Sequence, residues 1–167
     1  MKVKNTRALS RQITRLGSAT QLTVSGAESC TGGLIAKLLT DIPGSSAVFC
    51  GACVSYTNEI KKGVLGVSEE TIDRYTEVSH ECAKEMASGA LRVFGSDIAY
   101  STTGYAGPGG GTEQDPVGTV YVGIATKQTT VSYRLNLPKD ATRTFIRNAA
   151  AEFVLEKIKN LLEKLSE

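Results

Sequence analysis

Ser29 is the first of three candidates for a reactive or ligand-binding group in this sequence. It lies in the segment Ala-Glu-Ser-Cys-Thr-Gly-Gly at 27–33, between a predicted strand and a predicted helix. A hydroxyl there meets the positive end of a helix and its free amide groups, where an oxyanion or a phosphate is stabilised. The alternative is that Ser29 or Thr31 does no more than cap the helix.

Lys61 is the second candidate, in the segment 56–62 that follows the next predicted strand. If the two strands are neighbours, the Lys61 amine approaches the Ser29 hydroxyl. Lysine acts as a general base when burial or nearby charge lowers its pKa towards neutrality. Without such a setting, Lys61 would be an ordinary surface lysine.

A glycine-rich segment at 103–112 is the third candidate. Its main-chain amides could cradle an anion, although a plain flexible loop explains the composition equally well. It is not a P-loop, because no Gly-Lys-Ser/Thr follows. It is not a dinucleotide fingerprint either, because a predicted strand rather than a helix comes next.

Cysteine or histidine chemistry is a weaker interpretation of this sequence. Cys50 and Cys53 have CxxC spacing, and His80 and Cys82 could complete a zinc site. The pair lies in a predicted buried strand, where positions three apart point to opposite faces, so buried apolar thiols are expected instead. His80 is the single histidine and is expected to be exposed. No metal ligands are predicted.

Charge and composition exclude several classes of protein. The chain has 167 residues and a net charge of +2, which argues against a generally basic nucleic-acid-binding protein. No apolar run approaches the length of a membrane span, and no signal-peptide core precedes residue 20, so a cytoplasmic location is expected. Basic residues form a stripe on the first predicted helix, which indicates a solvated face or, alternatively, an anionic partner: Lys4, Arg7, Arg11 and Arg15.

Hydrophobic periodicity and turn signals predict the helices and strands that carry these candidate residues. Helices are predicted at 5–17, 31–41, 59–65, 79–94 and 140–165, with Asn58 as the cap of the third, and another short helix is predicted to begin at 68. Strands are predicted at 21–25, 47–56, 98–103, 119–125 and 130–135. This order predicts an α/β protein, a single three-layer α/β/α domain over 1–167. Its sheet is expected to be mixed and mostly parallel, with about five strands and a hairpin at the end.

Taken in order, these segments resemble the CinA C-terminal domain family. The matching stretches lie at 27–33, 56–61, 65–68, 103–108, 110–112 and 116–120. The resemblance covers nearly the whole chain. It implies an amidase that hydrolyses the carboxamide of nicotinamide mononucleotide (NMN) to nicotinic acid mononucleotide and ammonia. It also implies a homo-oligomer that needs no metal or organic cofactor.

The resemblance assigns roles residue by residue. The Ser/Lys pair of the family falls on Ser29 and Lys61, with Thr103 as a polar partner of the reacting group. Amides of 31–33 become candidate oxyanion donors, and the loop 107–112 a candidate phosphate or ribose site. Substrate contacts are expected from Glu28, Cys30, Thr31, Gly32, Gly33, Tyr56, Asn58, Gly104, Gly107, Gly109, Gly110, Gly111, Thr112 and Arg143.

Four positions depart from the pattern of the family. A Gly-Asp pair usually precedes the first arginine of the last helix, and here Ala141 and Thr142 precede Arg143, with Arg147 four residues on. Asp115 stands where lysine is common, and Tyr105 where a smaller aliphatic residue is usual. These departures leave open a non-catalytic nucleotide-binding or interaction domain, and a thiol or zinc protein is the third hypothesis.

Overall fold

Five strands, hydrogen-bonded in one sheet, form the middle of the protein. A computed structural model describes residues 5–166. The strands are β1 (Val24–Glu28), β2 (Phe49–Val54), β3 (Ile98–Gly104), β4 (Thr119–Thr126) and β5 (Thr130–Asn136), in the order β2-β1-β3-β4-β5. β1 pairs in parallel with β2 and β3, and β4 pairs antiparallel with β3 and β5. All strands except β4 therefore run the same way, which confirms the mixed sheet and the hairpin.

Helices cover both faces of the sheet. They are α1 (Thr6–Thr20), α2 (Leu34–Thr40), α3 (Asn58–Gly63), α4 (Glu69–Tyr75), α5 (His80–Phe94) and α6 (Arg143–Leu165), with a 3₁₀ turn at Ser45–Ala47. α1 and α2 pack on α6, which contacts β3 and β4, and the larger apolar core lies between them and the sheet. α5 crosses the opposite face with α4 beside it, over a smaller core. The three layers match the prediction.

The first two strands differ from their predicted positions. β1 was expected at 21–25 and lies three residues later, because Gly26 and Glu28 look like strand ends in sequence but are fully buried in the centre of the sheet. Gly26 is required there, since a Cβ would come 2.1 Å from the ring of Tyr100. β2 is an edge strand with a bulge, so the expectation that 47–56 is buried was wrong.

The four cysteines differ in their exposure to solvent. Cys30 and Cys82 are buried as expected, whereas Cys50 is exposed on the edge strand and Cys53 is partly exposed. All are free thiols, and residues 5–166 contain no group of three or more His, Cys, Asp or Glu side chains placed to hold a metal ion. His80 was expected to be exposed but is half-buried, sharing a hydrogen bond of 2.7 Å with the Ser132 hydroxyl.

The surface of α1 carries the predicted basic stripe. Arg7, Arg11 and Arg15 are all exposed, while Lys4 lies outside the described residues. None of the helices between residues 5 and 166 has the length and apolar character needed to cross a lipid bilayer.

Candidate active site

Ser29 and Lys61 meet at the edge of the sheet where β1 and β2 end. Ser29 directly follows β1, and Lys61 lies on α3, the first helix after β2. Because these strands are parallel neighbours, their carboxyl ends lie side by side, the usual place for sites in open α/β sheets. The Lys61 amine donates to Ser29 Oγ at 3.2 Å and to the Ser55 carbonyl at 2.9 Å. The predicted pair is therefore within hydrogen-bond distance.

The Lys61 amine is in a setting that favours its neutral form. Its residue is 1% exposed, and burial lowers the pKa of the amine. Charges on Cys82, Glu77 and Cys30 would act in the opposite direction. Burial, however, raises the pKa of both thiols to about 12, so near neutral pH they carry no charge and only Glu77 opposes the effect of burial. Lys61 thus releases its proton more readily than a surface lysine.

Glu28 occupies the place where sequence analysis expected an anionic ligand. Its fully buried carboxylate accepts hydrogen bonds of 2.7–3.2 Å from five donors at the start of α2 and on β3: Thr31 Oγ1, Tyr100 Oη and the amides of Gly33, Ile35 and Ala36. Glu28, rather than Ser29 or Thr31, therefore satisfies the free amides of the helix. The buried Glu28 carboxylate is therefore closed to substrate, and the amides of Gly33, Ile35 and Ala36 are not available to an oxyanion or a phosphate.

The turn that carries Ser29 is fixed from several sides. The Ser29 amide donates to the Thr102 carbonyl at 2.9 Å, and the Thr31 and Thr102 hydroxyls share a hydrogen bond of 2.7 Å. Arg147 on α6 donates to the Thr31 carbonyl at 2.7 Å. Gly32 and Gly33 both have positive φ, which lets the chain turn sharply into α2. Such a rigid turn holds the Ser29 hydroxyl in a constant position.

A cavity of about 210 Å³ opens beside the Ser29–Lys61 pair. Nine of the predicted site residues line it: Ser29, Cys30, Tyr56, Lys61, Thr103, Gly104, Gly107, Gly109 and Arg143. Four further residues complete the wall: Glu77, Val78, Tyr105 and Ala106. Glu77 and Val78 were missed by sequence analysis because they lie in a short turn before α5 with no glycine or motif to mark them.

The other predicted residues lie outside this cavity. Thr31 is fully buried and its hydroxyl is hydrogen-bonded to Glu28. Asn58 is the first residue of α3, and the helix is capped by Thr57 rather than by Asn58. Thr112 lines a separate cavity of about 480 Å³ that shares Val78 and Tyr105 with the first. The remaining residues absent from the wall are Gly32, Gly33, Gly110 and Gly111. The Thr103 hydroxyl donates to the Glu77 carbonyl at 2.6 Å, so it supports the wall at this point.

The departures from the family pattern have local explanations. Thr142 caps α6, its hydroxyl accepting from the Phe145 amide. Arg143 donates to the Gly107 carbonyl at 2.7 Å and to the Tyr56 hydroxyl at 3.0 Å, so the guanidinium still reaches the cavity without the Gly-Asp pair. Asp115 faces the larger cavity, where it pairs with Arg134 at 3.0 Å.

Comparison with known sequences gives a consistent result. The CinA C-terminal domain family matches residues 6–162. A CinA-like protein of Leptospira borgpetersenii is 43% identical over 159 residues, which cover 93% of this chain and 38% of that protein. A CinA-like protein of Chloroherpeton thalassium is 57% identical over 118 residues, covering 71% of this chain and 28% of that protein. The chain thus spans less than half the length of these relatives.

Solved structures agree over almost the entire chain. The competence/damage-inducible protein CihA of Agrobacterium tumefaciens superposes with a TM-score of 0.90 at 38% identity, covering 100% of both chains. A CinA superfamily protein of Klebsiella pneumoniae gives a TM-score of 0.91 at 30% identity, covering 96% of this chain and 99% of that one. From its fold, its motifs and these matches, the chain belongs to the CinA C-terminal domain family.

Proposed function

We propose that this chain is an amidase that hydrolyses the carboxamide of NMN to nicotinic acid mononucleotide and ammonia. The observation that carries the proposal is the contact of 3.2 Å between the buried Lys61 amine and Ser29 Oγ at the wall of a cavity. Amide hydrolysis needs an activated nucleophile and a proton for the departing amine. A Ser/Lys pair supplies both, and the resemblance of the motifs to the CinA C-terminal domain family supports NMN as the substrate.

In the proposed reaction, Ser29 Oγ attacks the carboxamide carbon while the neutral Lys61 amine takes the hydroxyl proton. The tetrahedral intermediate collapses as Lys61 returns that proton to the leaving nitrogen, which departs as ammonia and leaves an ester on Ser29. Water, deprotonated by Lys61, then attacks the ester, and nicotinic acid mononucleotide leaves as Ser29 is reprotonated. The Ser55 carbonyl accepts an N–H of the amine at 2.9 Å and so holds its lone pair towards Ser29.

The amides that could stabilise the oxyanion differ from those of 31–33 that the sequence suggested. The Gly32 amide donates to the Ser29 carbonyl and the Gly33 amide to Glu28. Thr31 is buried outside the cavity, so the amide of Cys30, a residue of the cavity wall, is the candidate donor that this turn offers to the developing oxyanion. Each preorganised donor of this kind contributes roughly 10²–10³ in rate to acyl-transfer enzymes.

The first test is ammonia release from NMN by the purified chain, measured across pH with product identification by chromatography. We expect the rate to rise with pH as Lys61 loses its proton and becomes able to act as the base. A rate that stayed constant well below neutrality would contradict this role for Lys61. Binding of NMN without ammonia release at any pH would instead favour a non-catalytic nucleotide-binding domain.

Arg143 is expected to bind the phosphate of NMN, since its guanidinium lies at the cavity wall. Arg143→Met should raise KM for NMN by about 10–100-fold, the equivalent of one charge-assisted hydrogen bond. Nicotinamide riboside, which lacks the phosphate, should be a poorer substrate for the natural chain and should be little affected by the substitution. Arg11→Met, on the exposed face of α1, is the matched control. Equal rates with both substrates would remove the phosphate role.

A further inference from the structure

Glu77 brings a carboxylate to the same cavity as Ser29 and Lys61. Its backbone is fixed on both sides: the Glu77 carbonyl accepts from Thr103 Oγ1 at 2.6 Å, and the Val78 amide donates to the Thr76 hydroxyl at 3.3 Å. Within residues 5–166 its side chain makes no hydrogen bond and no ion pair shorter than 4.0 Å. A partly buried anion is thus held at the wall with its oxygens available to a ligand.

The charges around the cavity leave that anion unbalanced. Lys61 is neutral in the form that can act as a base, and the Cys30 and Cys82 thiols keep their protons because burial raises their pKa to about 12. Burial likewise raises the pKa of the Tyr105 phenol, which stays uncharged. Arg143 is the cation on the wall, and it is bonded to Tyr56 and Gly107. The cavity therefore presents one fixed anion and one fixed cation.

We infer that Glu77, with Tyr105 on the same cavity wall, forms a subsite for a positively charged heteroaromatic ring, so that the enzyme prefers amides carried on a cationic ring to neutral isosteres. This inference rests on the proposed function and identifies what its site would recognise. A carboxylate and the face of an aromatic ring both attract an organic cation in a partly desolvated site. NMN fits both fixed charges, because its pyridinium ring is cationic and its phosphate is anionic.

The test compares NMN with its dihydropyridine form, which keeps the carboxamide, ribose and phosphate but has a neutral ring. Glu77→Gln should raise KM for NMN by roughly tenfold, the order expected for one partly screened charge pair. The inhibition constant of the dihydropyridine form should stay unchanged. Assays belong on the alkaline plateau of the pH profile, because removing Glu77 also lowers the pKa of Lys61 and moves the acidic limb to lower pH.

Glu81→Gln is the matched control, since Glu81 lies one turn further along the chain and lines the larger cavity instead. It should change neither constant. Equal weakening of both ring forms by Glu77→Gln, or no change with NMN, would overturn the inference. If the natural chain releases no ammonia, the proposed function fails. The inference is then tested by calorimetry, which gives the Kd of each ring form for the natural chain and for Glu77→Gln. Absence of binding by both forms would overturn it as well.

Discussion

Ser29→Ala, Lys61→Met and the double variant are each expected to lower kcat for ammonia release from NMN by roughly 10³-fold or more, with the double variant no worse than either single one. The reason is that the two side chains act as one unit. Ser29 without a base is a weak nucleophile, and Lys61 without the hydroxyl has no proton to transfer. Steady-state ammonia release by the natural chain and the three variants, at saturating NMN and matched protein concentrations, gives this double-mutant cycle.

A loss of activity is informative only if the variant is folded, and for Lys61→Met the pH dependence of its stability tests this. Burial holds its pKa below that of the unfolded chain, which is about 10.4, so between these values the unfolded state binds more protons. The natural chain therefore loses stability as the pH falls from about 10.4 towards the folded pKa, and Lys61→Met avoids this loss. Denaturant unfolding at two pH values should show a variant that is at least as stable as the natural chain, increasingly so at the lower pH.

Lys62→Met is the matched control for the cycle. Lys62 follows Lys61 on the same helix, but its amine pairs with Glu69 at 3.2 Å on the surface. We expect near-natural activity from this variant, because exposed ion pairs contribute little. Substantial activity in Ser29→Ala would remove Ser29 as the nucleophile. Losses that multiply in the double variant would mean that Ser29 and Lys61 act independently.

The part of the fold that depends on local pattern could be predicted from the sequence. α5, β3, β4 and β5 appear within a few residues of their predicted positions, because periodic apolar residues and the Ser79 cap mark them directly. β1 and β2 could not be placed so well. Glu28 extends a central strand only because donors from α2 and β3 surround its carboxylate, and this information is absent from the strand itself.

The candidate site shows the same division. Ser29 and Lys61 come together because neighbouring parallel strands end at one edge, a consequence of topology that sequence order already suggests. Glu77 could not be foreseen, because it reaches the cavity through a turn whose path is set by Thr103 and Ser79 rather than by a motif. Thr31 was misassigned for the opposite reason: it lies within a motif, but its hydroxyl is consumed by the network around Glu28.

Glu28→Ala is expected to cost about 4 kcal/mol of unfolding free energy, a large share of the roughly 5–15 kcal/mol that a domain usually has. The substitution leaves buried amides of α2, the Thr31 hydroxyl and the Tyr100 phenol without their acceptor. A buried donor that loses its partner bears its full desolvation cost, about 1–3 kcal/mol, although such losses do not add. Chemical denaturation monitored by circular dichroism gives the change.

Two further variants separate the role of the Glu28 hydrogen bonds from that of its volume. Glu28→Gln keeps the shape and one acceptor oxygen, but its NH₂ group faces donors such as the Ala36 amide, so a loss between those of the natural chain and Glu28→Ala is expected. Glu70→Ala removes an exposed glutamate whose partner is Arg74 and should cost less than about 1 kcal/mol. Equal, small losses for Glu28→Ala and Glu70→Ala would mean that solvent reaches the start of α2 and replaces the carboxylate. Ser29 would then need another explanation for its fixed position, because the same hydrogen bonds hold the turn from which its hydroxyl projects.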